Sequence, residues 1–297
     1  MAVGCTPRQS RDRSQNSDTA EPKPLVLPAI PIYITDQQAA TEFMALNYWN
    51  NFDFADPVIT EQEEREQYFA LWERMTEQTF VDYFYGIFPH VPMQIVERSV
   101  ATLLDKALDG SRQMFDHFAD LFEKYLYDPN SPFRAEEFYI PVLRHIVGSE
   151  RLDEMDKLRP RSLLEMALKN RPGEIATDFE YTLANGNRGR LHNVRAEGIV
   201  LFFNNPDCPD CMRVKGILEQ LNLPGIRVVA IYPDDDLDRW RAAEFPAGWI
   251  NGYNNTTLRT SSLYDLKAIP TLYLLDSEKR ILLKDADVES VMNYLYQ

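Results

Sequence analysis

The spacing of apolar residues changes character about halfway along this chain. Up to about residue 170 they recur at three- and four-residue intervals, the period of a half-buried helix. Beyond residue 198 they fall in short unbroken runs, the pattern of strands covered on both faces. In the first part the pattern predicts a helix over Gln37–Trp49. A second begins at the capping box Thr60-x-x-Glu63, with Tyr68, Leu71, Trp72, Met75 and Thr79 as its buried stripe. Val96, Val100, Leu103, Leu104 and Ala107 form a third stripe, stopped at Gly110. Met114, Phe118, Leu121, Phe122 and Tyr125 form a fourth, stopped at Asp128-Pro129-Asn130. A shorter helix over Phe138–Val147 is disturbed by Pro141, and Glu150–Asn170 is helical on both sides of Pro160. His90, His117 and His145 are scattered over these elements and read as ordinary residues, and the aromatic stripes read as core.

In the second part, Asn185-Gly186 marks a hairpin within Tyr181–Arg190. Strands follow at Ile199–Phe203, Ile226–Tyr232, Leu272–Asp276 and Lys279–Lys284. Helices are expected after the first strand, with Cys211, Val214, Leu218 and Leu221 on one face, then around Leu237–Glu244, and over Asp287–Tyr296.

Between the first strand and its helix lies Asn204-Asn205-Pro206-Asp207-Cys208-Pro209-Asp210-Cys211. A Cys-x-x-Cys pair at this junction suits thiol–disulfide exchange. The first sulfur sits where the helix dipole favours a thiolate, and the second lies one turn inside, placed to resolve a mixed disulfide. The spacing alone also admits a zinc half-site, a structural disulfide or two inert thiols. A closed zinc site takes four ligands. The chain has 3 Cys and 4 His, and no second Cys-x-x-Cys or His-x-x-x-His completes a set, so no metal is expected.

Together with Pro172-Gly173-Glu174-Ile175-Ala176-Thr177-Asp178-Phe179 and Ala268-Ile269-Pro270-Thr271, this order of elements resembles a thioredoxin-fold domain of the TlpA/ResA and redoxin type. The resemblance covers about residues 171–297. It implies an α/β thioredoxin fold, a cis Pro270 packed beside the cysteines, and a substrate groove formed by Pro209, Asp210, Ile269 and Pro270. It also implies catalysis by Cys208 and Cys211 with no cofactor beyond their redox-active disulfide. The pattern departs from the family at three places. Phe202 stands where many thioredoxins carry a buried acid, Asp207 where they carry Trp, and Val214 where some cytochrome-maturation relatives carry Glu. Asp207 and Asp210 flank Cys208, and their charges oppose a thiolate there.

The run Tyr48-Trp49-Asn50-Asn51-Phe52-Asp53-Phe54 is similar to an all-α domain of unknown function that precedes thioredoxin-like domains in some Gram-negative lipoproteins. It brings no activity with it. The expected organisation is therefore a tether over 1–30, a helical domain over 31–170 and a thioredoxin-like domain over 171–297.

Composition narrows the partners. The 297 residues carry a formal charge of −15, with no basic tract, which argues against nucleic acid and against anionic membrane surfaces. No apolar run approaches the ~20 residues of a membrane-spanning helix. Thr6–Lys23 is polar and cannot bury enough surface to fold. Ala2-Val3-Gly4-Cys5 before it resembles the end of a bacterial lipoprotein signal, with Cys5 as the lipidated residue. On that reading the chain is expected in the periplasm or at the outer membrane, reached through a lipid anchor alone, in a compartment where disulfides form. The alternative is a disordered cytosolic terminus in which Cys5 is incidental. Asp234-Asp235-Asp236 reads as a strand-to-helix loop with a helix cap. Trp249 and Tyr253 read either as a partner-contacting cover on one side of the disulfide or as ordinary core. The absence of a Gly-rich phosphate loop, a Gly-x-Ser-x-Gly elbow and a His-Glu-x-x-His motif removes the other common hydrolase and nucleotide classes.

The expected function is thiol–disulfide exchange in the cell envelope, with protein thiols or disulfides as substrates and an envelope electron donor or acceptor as partner. The competing expectation is a non-catalytic interaction protein whose helical domain binds a partner and whose cysteine pair is structural.

Overall fold

A computed structural model describes residues 22–55, 62–221, 224–254 and 256–296. The Thr60 capping position, Cys5 and most of the tether lie outside the described residues. The chain divides into two compact units, Met1–Leu121 and Phe122–Gln297.

The first unit is built from α1 (Gln37–Asn47), α2 (Gln62–Ile87), α3 (Met93–Gly110) and the start of α4 (Arg112–Leu126). Asp36 caps α1 by accepting from the Ala39 amide. The α3 stripe is the one its periodicity predicts. The α2 stripe is not. Phe69, Trp72, Thr76, Phe80, Tyr83, Phe84 and Ile87 are buried there, and only Trp72 is shared with the expected set. An aromatic-rich helix offers two candidate faces, and the one carrying Phe80 and Tyr83 wins. It brings those two rings against Trp49 at 6.5 and 5.6 Å, a larger apolar payload than Leu71 and Met75 supply.

The second unit begins with α5 (Glu136–Gly148) and α6 (Glu154–Ala167), which run on through Pro141 and Pro160. Buried Ile140, Val142 and Leu143 hold α5 together around the hydrogen bond that Pro141 removes. The sheet elements are β1 (Glu180–Leu183), β2 (Arg188–Arg190), β3 (Gly198–Phe203), β4 (Ile226–Tyr232), β5 (Ile250–Tyr253), β6 (Thr271–Asp276) and β7 (Ile281–Leu283). Between them lie α7 (Pro209–Leu218), α8 (Leu237–Ala242) and α9 (Thr257–Thr260), and α10 (Val288–Leu295) closes the unit. The strands form one sheet in the order β2-β1-β5-β4-β3-β6-β7. β3, β4 and β5 run parallel, whereas β1 and β6 are antiparallel to their neighbours.

Every residue of β3 is buried, and alternation sorts the side chains between two layers. Val200 and Phe202 pack with Cys211, Val214, Leu218 and Val291. Ile199, Leu201 and Phe203 pack on the other face with Phe179, Tyr264 and Tyr273. The expected strands and their helices are present. The pattern missed β5, whose sequence Ile-Asn-Gly-Tyr has neither an apolar run nor clean alternation. Gly252 is required there, because a Cβ would meet the Tyr181 ring at 2.7 Å.

Among the described residues the core holds buried polar atoms without a hydrogen-bond partner. The fully buried Tyr273 hydroxyl is among them. An unmade buried hydrogen bond costs about 1–3 kcal/mol. Tyr273→Phe keeps the ring and removes the hydroxyl, so its urea midpoint is expected to rise by a corresponding amount. An unchanged or lower midpoint contradicts this.

Candidate active site

The cysteine loop is shaped by two asparagines at the end of β3. Asn204 is buried, and its amide donates to the Ile231 carbonyl at 3.0 Å, extending the β3–β4 ladder by one step. Asn205 turns the chain. Its Oδ1 accepts from the Asp207 amide at 3.0 Å, an Asx turn, and its Nδ2 donates to Asp234 at 2.8 Å. Cys208 then serves as N-cap of α7 and Pro209 occupies the first turn, where no backbone donor is lost.

The two sulfurs have different surroundings. Both cysteines are free thiols. Cys208 is half-buried, and its Sγ accepts from the Cys211 amide at 3.3 Å. Its thiol donates to the Ile269 carbonyl at 3.5 Å. Cys211 is 2% exposed, and its Sγ accepts from the Asn205 amide at 3.4 Å. Burial is the main cause pushing the Cys211 thiol well above its ordinary value, with the Asn205 N–H pulling the other way. The Ile269–Pro270 peptide is cis, as the resemblance implies.

The flanking carboxylates do not stand unopposed. Asp207 pairs with Arg239 at 2.7 Å, and Asp210 pairs with Arg213 at 2.7 Å. Each carboxylate beside Cys208 is thus partly offset by a guanidinium. Sequence reading missed Arg239 because it comes from α8, far beyond Asp207 in the chain. Arg213 lies one turn from Asp210 on α7 and was open to helical spacing. Asp236 caps α8 by accepting from the Arg239 amide, and Asp234 pairs with Arg259.

Of the two aromatic candidates the structure brings one to the site. Trp249 packs against Phe245, ring centroids 6.0 Å apart, in the cluster that also takes in Cys208 and Ile269. Tyr253 lies on β5 with its ring 4.8 Å from Trp240 and is not part of that cluster. Under α7 a cavity of about 150 Å³ reaches the buried sulfur. Phe202, Asn205, Cys211, Met212, Lys215 and Phe245 line it. Met212 is exposed beside it. Phe202 supplies no acid beside Cys211, and Glu244 is the one acidic residue among the described residues that line this cavity.

The comparisons fit this geometry. The family described as Domain of unknown function (DUF5106) matches residues 4–170. A crystal structure of a thioredoxin-like protein from Bacteroides caccae is 42% identical, covers 92% of this chain and 98% of that one, and superposes with a TM-score of 0.82. The C-terminal domain of an uncharacterized protein from Bacteroides fragilis is 40% identical over 43% of this chain and 99% of that one, with a TM-score of 0.42. A domain from Cytophaga hutchinsonii described as a "possible thiol-disulfide isomerase" is 26% identical over 44% of this chain and 94% of that one, with a TM-score of 0.37. No curated protein matches the chain. A helical segment matched to that family, followed by a sheet of thioredoxin order carrying Cys208-Pro209-Asp210-Cys211 and a cis proline, makes this chain a member of the DUF5106 family with a C-terminal thioredoxin-like domain.

Proposed function

We propose that the chain is a thiol–disulfide oxidoreductase acting on protein substrates. The observation that carries this reading is the unequal placement of the two sulfurs. Cys208 is accessible and takes an N–H bond at the start of α7, while Cys211 is buried one turn on. The Cys208 thiolate attacks one sulfur of a substrate disulfide, the S–S bond breaks, and a substrate thiolate leaves. Cys211 gives its proton to solvent and attacks the Cys208 sulfur of the mixed disulfide. The Cys208–Cys211 disulfide forms and the second substrate thiol departs. A donor dithiol then returns two electrons, and run in reverse the same steps oxidise a substrate.

The test is a thiol count. Oxidised protein is treated with dithiothreitol under native conditions and alkylated, and the mass shift is read. Rapid, reversible gain of two thiols at Cys208 and Cys211 is the expected result. Thiols that appear only after denaturation favour a structural bond and a non-catalytic role.

The cell envelope is the proposed location, with Cys5 lipidated. Each buried methylene of an acyl chain adds ~0.8 kcal/mol to membrane binding, so a multiply acylated terminus is held firmly. Cys5→Ser in the natively encoded protein should move it from the membrane to the soluble fraction. Retention at wild-type levels contradicts the anchor.

A further inference from the structure

The loop that delivers Ile269 to Cys208 contains no helix or strand between Ser261 and Pro270. It is nonetheless held at Ser262, Leu263, Tyr264, Asp265 and Lys267 through bonds with residues 127–177. Lys169 Nζ donates to the Ser262 carbonyl at 3.1 Å, and Asn170 Nδ2 donates to the Leu263 carbonyl at 2.7 Å. The Tyr264 hydroxyl donates to the Thr177 carbonyl at 2.6 Å, and the Tyr127 hydroxyl donates to Asp265 at 3.0 Å. Lys267 then reaches Asp265 at 3.2 Å, Glu136 at 3.4 Å and Asp285 at 3.4 Å, with its Nζ 3.9 Å from the centroid of the Tyr127 ring.

These groups are withdrawn from solvent. The side chains of Asp265, Glu136 and Asp285 are 9–10% exposed and that of Lys267 is 13% exposed. The second half of the cluster is built alike. Lys284 Nζ lies 2.5 Å from Glu136, and Arg134 donates to the Asp285 carbonyl. Asp285 sits in the left-handed region at φ 45°, a conformation the surrounding bonds impose.

Stability does not require such a cluster. A buried ionic set is often no better than apolar residues of the same shape, and what it supplies is a defined geometry. Its loop end lies two residues before Ile269, whose carbonyl meets the Cys208 sulfur. We propose that Tyr127 and Glu136 are positioning residues of the redox site. Acting through Asp265 and Lys267, they hold the Ser262–Pro270 loop in the place a substrate polypeptide must engage. The inference rests on the oxidoreductase reading above. It gives part of the 4–170 family segment a role in the chemistry of the domain that follows it.

The test uses the full chain with Tyr127→Phe and Glu136→Gln, each nearly isosteric. A disulfide-linked fluorescent peptide serves as substrate and dithiothreitol as donor. Each variant is expected to raise KM about fivefold, the weight of one net hydrogen bond, with kcat within about twofold. Labelling of Cys208 by iodoacetamide, which does not use the loop, should stay within about twofold. Amide hydrogen exchange over 263–270 should quicken in both variants. Wild-type KM together with wild-type exchange in a folded variant overturns the positioning role. So does a joint collapse of kcat, KM and Cys208 labelling, which reports a general loss of structure. If Glu136→Gln does not fold, Tyr127→Phe, which removes a single hydroxyl, decides the matter alone. A wild-type protein that reduces no peptide overturns the oxidoreductase reading and this inference with it, an outcome distinct from unchanged variants of an active enzyme.

Discussion

Replacing Cys211 by Ser should leave Cys208 covalently loaded with its substrates. The resolving sulfur is held one helical turn away, and a well-oriented intramolecular group acts like a reactant at up to about 10⁵ M or more. Its loss should therefore slow release of the mixed disulfide by several orders of magnitude. Cys208→Ser should trap almost nothing, because the remaining sulfur is 2% exposed and burial holds it in the thiol form. An attacking sulfur needs both access and thiolate character, and Cys211 has neither. Mass spectrometry of disulfide-linked partners, with iodoacetamide labelling against pH, reads both variants. Equal trapping by the two, or faster labelling of Cys211 than of Cys208 in the folded protein, reverses the assignment of attacking and resolving thiols.

The second large effect is on stability. Glu136→Ala removes the carboxylate 2.5 Å from Lys284 and 3.4 Å from Lys267, whose side chains are 5% and 13% exposed. Removing one partner of a buried pair leaves an uncompensated charge and costs about 3–5 kcal/mol. The two backbone carbonyls that Lys284 also contacts, those of Ala167 at 2.9 Å and Lys169 at 2.7 Å, are dipoles and do not replace a full negative charge. Urea unfolding of the intact chain should show this loss, and a change under about 1 kcal/mol contradicts it. The fragment 171–297, expected from its sequence to fold by itself, lacks Tyr127, Arg134 and Glu136. It should unfold at a lower urea concentration than 122–297.

What the sequence made legible follows from how each signal is generated. Continuous apolar runs such as Val228–Tyr232 are produced by burial on both faces, and β4 (Ile226–Tyr232) has the bounds expected for it. The site was legible at Cys208, Cys211 and Pro270, because a capping cysteine, a turn-inside cysteine and a strand-leading proline are local patterns. Trp249 and Tyr253 were not separable, since both are aromatic residues near one turn, and only the β5 pairing with β4 carries Tyr253 away. The α2 face was misread because aromatic residues populate both candidate stripes. The pairing of Asp207 with Arg239 and the cluster around Lys267 join residues far apart in the chain. No periodicity records such pairings.

The cluster around Lys267 bears on how chains of this kind can diverge. The family match ends at residue 170, yet the compact unit begins at Phe122, so the genetic seam and the physical seam lie at different places. A recombination event at residue 170 would hand Lys267, Lys284 and Asp285 a stranger's counter-ions. The segments on either side of that seam are thus bound to drift together, with a charge reversal at position 136 surviving only beside a compensating reversal at 267 or 284.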